Sequence, residues 1–328
     1  MTTTRPGIVR GAPAVRSIRA MASPITLSVV APGPRAQSCL DRAVEVVRDV
    51  ERTCSRFDPA SALSRANAEP DRWHDVPATL AAAIGEAEHA HCATDGVFDP
   101  RVLETLLEWG YDTSLRFAGG HLAHQCPDVA PVAPRPDHTA PWRPRIVQRH
   151  GAWRVHLGGT PVDLGGIGKG LAVRWAAAQL APAGPGYLVD AGGDCALGGL
   201  GPEGGRWRVG VEDPAGGEHL AVLELTDTAC ATSSIRRRRW VAHGQPVHHL
   251  VDPVTRRPGG VGLTAVTVVA PDPAWAEVWS KTLFLAGAAG IRARADDLGL
   301  AALWAHQDGT VGTTQAMDSW VIWRSAHA

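Results

Sequence analysis

Val162-Asp163-Leu164-Gly165-Gly166-Ile167-Gly168-Lys169-Gly170 is followed by an apolar-periodic run to about Leu180 and then by Tyr187-Leu188-Val189-Asp190. The spacing predicts a strand end, a glycine-rich turn, a helix and a buried strand. Backbone N–H groups at such a turn and helix start can hold phosphate oxygens, and Lys169 adds a point charge beside them. Neither the G-x-x-x-x-G-K-[ST] spacing nor a G-x-G-x-x-G after a first strand is present. On glycine content alone, a plain tight turn explains the stretch equally well.

Working outward, residues 25–30 read as a strand and 36–54 as a helix, with Leu40, Val44, Val47 and Val50 at helical spacing. Ala78–His91 and Pro100–Trp109 read as helices, the second with proline at a favoured first-turn position. Residues 112–144 are rich in proline, histidine and polar residues and read as a long loop. Strands follow near 145–149, 153–157, 206–211, 219–225 and 263–270, then a helix over about 273–287 and a strand pair at about 301–306 and 318–323. There is no internal repeat. The mixed order predicts an α+β fold with largely antiparallel sheets and packed helices, not a doubly wound sheet.

Composition excludes several classes. The 328 residues are 45% hydrophobic and 20% charged, with a net charge of −1, so no global field draws in nucleic acid or an anionic membrane. No run approaches the ~20 apolar residues of a spanning helix. Residues 1–20 are basic without an apolar segment and read as a disordered leader rather than a secretory signal, ahead of one domain over 21–328. Six cysteines, none in a C-x-x-C pair, read as reduced thiols of a cytoplasmic protein. Of 32 Lys plus Arg, only Lys169 and Lys281 are lysine; either two lysines survive by chance, or these are two places where a compact ammonium is required in place of a guanidinium fork.

Four further stretches carry candidate chemistry. Asp190-Ala191-Gly192-Gly193-Asp194 lets a ligand approach the backbone after a buried strand, although taken alone a glycine-rich hairpin turn with a solvated Asp194 is the favoured reading. Thr232-Ser233-Ser234 precedes four arginines, 236–239, which alternate faces if they lie in a strand; the outer pair then reads as a solvated charge run. His249 and Asp252 can serve as a base and its orienter, with His248 on the opposite face. Glu277 and Lys281 are four apart on one helix face: a surface ion pair, or a carboxylate metal ligand beside an ammonium.

Taken in order, these segments resemble the ApbE-like FAD:protein FMN transferases. The matching stretches are Met21–Pro24, Ser55–Pro59 with Leu63-Ser64-Arg65 and Asn67, Asp95–Pro100, Asp163–Gly170, Asp190–Asp194, Ala231–Arg239, His249–Pro253 and Ala276–Phe284. The resemblance implies a T-fold-like flavin transferase architecture. It implies that Met21, Val97, Phe98, Asp99, Asp163, Lys169, Asp190, Thr232 and Ser233 surround FAD. It also implies a magnesium ion held by the Gly166 carbonyl and Glu277, where the family usually has aspartate. Lys281 departs from the pattern, which often has a hydroxyl residue contributing to the metal site there. An ammonium has donors and no acceptor, so it cannot ligate the ion.

The implied activity moves FMN from FAD onto a threonine or serine hydroxyl of an acceptor protein and releases AMP. His249, Asp252 and Lys281 are the candidate catalytic residues. Two other readings stay open: hydrolysis of FAD to FMN and AMP, and a flavin-binding protein without turnover.

Overall fold

The computed structural model describes residues 12–112, 117–118, 121–122 and 140–325. Its centre is an eight-stranded sheet whose strands lie side by side in chain order: β1 (Ala14–Ala20), β2 (Ser23–Val30), β3 (Gly186–Asp190), β4 (Asp194–Gly199), β5 (Thr228–Ser234), β6 (Leu263–Ala270), β7 (Ala301–His306) and β8 (Val311–Thr313). Every neighbouring pair is antiparallel. The sheet is therefore an open meander, into which long helical excursions are inserted. This agrees with the α+β expectation and its antiparallel bias.

The helices are α1 (Ala36–Cys54), α2 (Ala62–Ala68), α3 (Ala78–Ala93), α4 (Leu103–Glu108), α5 (Gly168–Leu180), α6 (Pro273–Leu285), α7 (Gly287–Asp297) and α8 (Gln315–Asp318). Strand alternation sorts the core into layers. Leu27 and Val29 face α1 and α5, where Leu40, Val47 and Leu180 are fully enclosed. Val266 and Val268 face Leu283 and Phe284 of α6 and Ile291 of α7. On the other face, Cys195, Cys230, Ala265 and Val269 meet Trp207 and Leu223 of a three-stranded sheet formed by residues 207–212, 219–225 and 321–324. Each such aliphatic side chain contributes about 1.5–3 kcal/mol by leaving water.

Several expectations are corrected here. Residues 14–20 are not a leader: they form β1, paired in full register from Ala14 with Val29 to Ala20 with Ser23. Its alternating burial, with Val15, Ser17 and Arg19 outward, suits an edge strand. The strand at 301–306 pairs with 311–313, while 321–324 joins the three-stranded sheet. The helix read over about 273–287 is α6, which ends at Leu285; a further helix, α7, starts at Gly287, whose φ is 66°, and was not read. The Pro100–Trp109 helix begins as a 3-10 turn over Pro100–Val102, capped by Asp99. Most of the 112–144 loop lies outside the described residues, as do residues 1–11. The five described cysteines are free thiols. Among the described residues, no helix is long and apolar enough to cross a membrane.

Candidate functional site

The site forms where α5 and α6 cross beside the ends of β4 and β5. Asp272 caps α6, accepting from the N–H groups of Ala274 and Trp275, and its Oδ1 also accepts from Arg174 Nη2 of α5 over 2.7 Å. The crossing is close because residue 170 is glycine: a Cβ there would lie 2.5 Å from Ala274 Cα and 2.6 Å from the Pro273 oxygen. α5 has no side-chain cap at its start, which leaves first-turn N–H groups to find other partners. One of them, Gly170 N–H, donates to Glu277 Oε2 over 2.8 Å.

Glu277 is wholly buried, and its other oxygen faces two ammoniums. Lys281 Nζ donates to Oε1 over 3.0 Å and Lys169 Nζ stands 3.3 Å from the same atom. Lys169 also pairs directly with Asp194, which is 2% exposed at the start of β4. Two carboxylates and two ammoniums thus form one enclosed network with no net charge, the arrangement buried charges require. Burial alone would raise the Glu277 carboxyl, but the charges of Lys169 and Lys281 and the Gly170 N–H outweigh it and hold it at about 2. Burial pulls the Lys169 ammonium down to about 8 against the attraction of Glu277.

Ser233 faces this helix crossing, with its Oγ 2.7 Å from Ser280 Oγ. Thr232 faces the opposite side of the sheet and pairs with Thr267 over 2.9 Å; successive strand residues point to opposite faces. Only one of the two hydroxyls therefore belongs to the cluster. Of the arginine run, Arg236 and Arg237 turn outward to Glu212, while the charge of Arg238 is felt by both Lys169 and His249.

His249 Nδ1 is enclosed without a hydrogen-bond partner. Burial, reinforced by the positive charges of Arg238 and Lys281, holds the ring well below the usual histidine range, so it is neutral at pH 7. His248 is separate: its Nδ1 accepts from Leu250 N–H and its ring meets Phe284 edge-on. Asp252 does not orient His249. Its Oδ1 accepts from the N–H groups of Val254 and Thr255 and closes the turn that follows.

The remaining expected residues have the following surroundings. Asp163 Oδ2 pairs with Arg56 Nε over 2.8 Å, and its Oδ1 accepts from Gly165 N–H. Arg56 lies over the rings of Phe57 and Tyr111, with its Nη2 buried and unpaired. Gly166 sits under Phe98: a Cβ there would come 2.7 Å from Phe98 Cε2. Asp99 is held by Arg101 in a buried two-point pair, beside Val97 and Phe98. Asp190 Oδ1 accepts from Gly192 and Gly193 N–H and shapes the β3–β4 turn. Met21 lies in the β1–β2 turn at φ 49°, its N–H bonded to Glu51.

Gly170 and Ser280 were not read as site residues, and Asp194, read as solvated in a plain turn, is buried. Asp194 carried a readable signal: a carboxylate opening the apolar run Cys195-Ala196-Leu197 must be paired if that run is buried. The magnesium expectation meets a mismatch. Among the described residues no three His, Cys, Asp or Glu side chains converge. Both Glu277 oxygens are engaged, one of them by two ammoniums. At an effective dielectric of about 20, two unit charges 4 Å apart interact by about 4 kcal/mol, and a divalent ion doubles that repulsion against each ammonium. These side chains do not fit the ion.

Comparison with known proteins adds the ancestry. The ApbE family profile matches residues 21–304. A protein of Salmonella typhimurium named FAD:protein FMN transferase is 27% identical over 217 residues, 65% of this chain and 60% of its own length. One of the same name from Vibrio cholerae is 28% identical over 256 residues, 73% of this chain and 70% of its own. One from Escherichia coli is 33% identical over 129 residues, which is 37% of its length. The match thus spans less than two thirds of the Salmonella and Escherichia chains. The ApbE protein of Thermotoga maritima superposes with a TM-score of 0.76 at 23% identity, covering 94% of this chain and 99% of that one. The flavin transferase ApbE from Vibrio cholerae superposes at 0.74 and 22% identity, covering 94% and 99%. At those identities the superpositions speak to the fold. With the family profile spanning most of the chain, the conclusion is that this protein belongs to the ApbE family.

Proposed function

We propose that the chain is a FAD:protein FMN transferase acting as one unit over its described residues, with FAD as donor and a threonine or serine hydroxyl of an acceptor protein as recipient. The observation that carries this reading is the pair of ammoniums, Lys169 and Lys281, gathered at the uncapped start of α5. Helix N-termini and ammoniums together favour a phosphate anion. The FAD pyrophosphate lies there, with the flavin half toward Asp163, Phe98 and Asp99. Met21 and Asp190 shape hairpin turns at the ends of β1 and β3.

In the reaction the acceptor oxygen attacks the FMN-side phosphorus. A new P–O bond forms as the P–O bond to the bridging oxygen breaks, and AMP departs with that electron pair. His249, neutral and with Nδ1 unpaired, receives the hydroxyl proton. Lys169 and Lys281 offset charge that develops on the phosphoryl oxygens and on AMP. Ser233, fixed by Ser280, orients the pyrophosphate from the β5 side.

Incubating the protein with FAD, with and without a candidate acceptor, tests the reading. AMP together with flavin covalently attached to the acceptor is the expected result. AMP with free FMN replaces transfer by hydrolysis, and bound but intact FAD overturns turnover altogether.

A further inference from the structure

We propose that Lys281 takes the place of a divalent cation, so that flavin transfer by this chain runs on protein ammoniums and needs no metal ion. The inference rests on the transferase reading but concerns a separable property, the occupancy of the Glu277 carboxylate.

The geometry carries it. Glu277 is the one carboxylate of α6 buried at the crossing, and both of its oxygens are engaged. Oε2 takes the Gly170 N–H at 2.8 Å, and Oε1 takes Lys281 at 3.0 Å with Lys169 at 3.3 Å. Lys281 reaches Oε1 from one turn further along the same helix, a spacing that sets the two side chains side by side. A divalent ion needs several oxygen acceptors and tolerates no ammonium among its ligands. The second carboxylate nearby, Asp194, is already in direct contact with Lys169. The two acids are thus matched by two lysines, the only two in the chain. A short hydroxyl at 281 would remove one of these charges and supply an acceptor four residues from Glu277, leaving Lys169 to its pair with Asp194.

The test uses Mn2+ as a paramagnetic stand-in for magnesium and reads free Mn2+ by electron paramagnetic resonance, in the full chain with FAD and against an FAD-only control. The native protein is expected to leave the free Mn2+ signal at the control level. Lys281→Thr and Lys281→Ser, checked for folding by circular dichroism, are expected to remove one Mn2+ per chain. Uptake of one Mn2+ per chain by the native protein overturns the proposal. So does the absence of uptake in both folded variants, because Lys281 is then not what bars the ion. Should neither variant fold, the native measurement decides alone. In parallel, AMP release by the native protein in EDTA is expected within about twofold of that in magnesium, and a loss of about tenfold or more in EDTA overturns the proposal. If no AMP and no protein-bound flavin form under any condition, the transferase reading fails, while the Mn2+ result still judges the inference about Lys281.

Discussion

The backbone N–H of Gly170 donates to Glu277 Oε2 over 2.8 Å and ties the first turn of α5 to the middle of α6. The bond exists because residue 170 lacks a Cβ. Gly170→Ala would set a methyl against Ala274 Cα at 2.5 Å and the Pro273 oxygen at 2.6 Å, both backbone atoms that cannot rotate away. It is expected to destabilise the protein by about 1–3 kcal/mol and to weaken FAD binding. Urea unfolding checks the first and flavin fluorescence the second; an unchanged urea midpoint would show that the helices part without strain.

Glu277→Ala strands two ammoniums in a buried network and leaves the Gly170 N–H without its partner. Breaking one side of a buried pair costs about 3–5 kcal/mol. The urea midpoint should fall accordingly, and by more than it falls for Lys281→Met, which leaves Lys169 on the carboxylate. Equal losses for the two variants would mean that Glu277 and Lys281 act only on each other.

His249→Ala is expected to lower the rate of AMP release by about 10²–10⁴-fold, the usual worth of a positioned base, while FAD binds as before. Asp252→Asn, by contrast, is expected to leave the rate nearly intact, since Asp252 serves the 253–255 turn. Full activity of His249→Ala would remove the histidine from the mechanism.

The pH profile follows from two depressed groups. A base works when deprotonated, and His249 sits well below 6.5. The acid limb is therefore expected below the ordinary histidine range, with activity held through pH 6. Lys169 works when protonated and titrates at about 8, so the rate is expected to fall as pH rises through that value. Lys169→Arg, which keeps its charge, should push the alkaline limb upward. Stability shifts the other way. Between about 8 and 10.5 the unfolded chain binds the Lys169 proton and the folded chain does not, so this group adds to unfolding free energy as pH rises across that window. Rate measurements and urea titrations from pH 5 to 10 separate the two effects.

Much of this was readable beforehand, and the misses have physical causes. The helix over 36–54 and the strands 219–225, 263–270 and 301–306 match residue for residue: the helix carries a periodic apolar face, and the last two strands are short apolar runs buried on both faces. β1 was hidden because Arg16 interrupts the inward face of Ala14, Ile18 and Ala20 while Arg19 stands on the outward face, so the stretch looks like a polar tail. The pairing of 301–306 with 311–313 depends on which sheet the last strand joins, and no local signal carries that choice. In the site, the Glu277–Lys281 pair followed from helical spacing. Two other assignments did not: that Asp194 is buried against Lys169, and that Thr232 turns away from α6 while Ser233 turns toward it. Each depends on where a strand face lies relative to a distant helix. Asp252 illustrates the reverse error: two residue types with complementary chemistry stand close in sequence, yet the aspartate is consumed by its own turn.

The two ties that hold the glycine-rich turn in place, Gly170 to Glu277 and Arg56 to Asp163, each span 107 residues of chain. Closing loops of that length comes late in folding, after local elements exist. During synthesis, a nascent chain that has emerged only as far as β6 has Lys169 and Asp194 but neither Glu277 nor Lys281. The charge network is therefore completed only once α6, which follows β6, has left the ribosome.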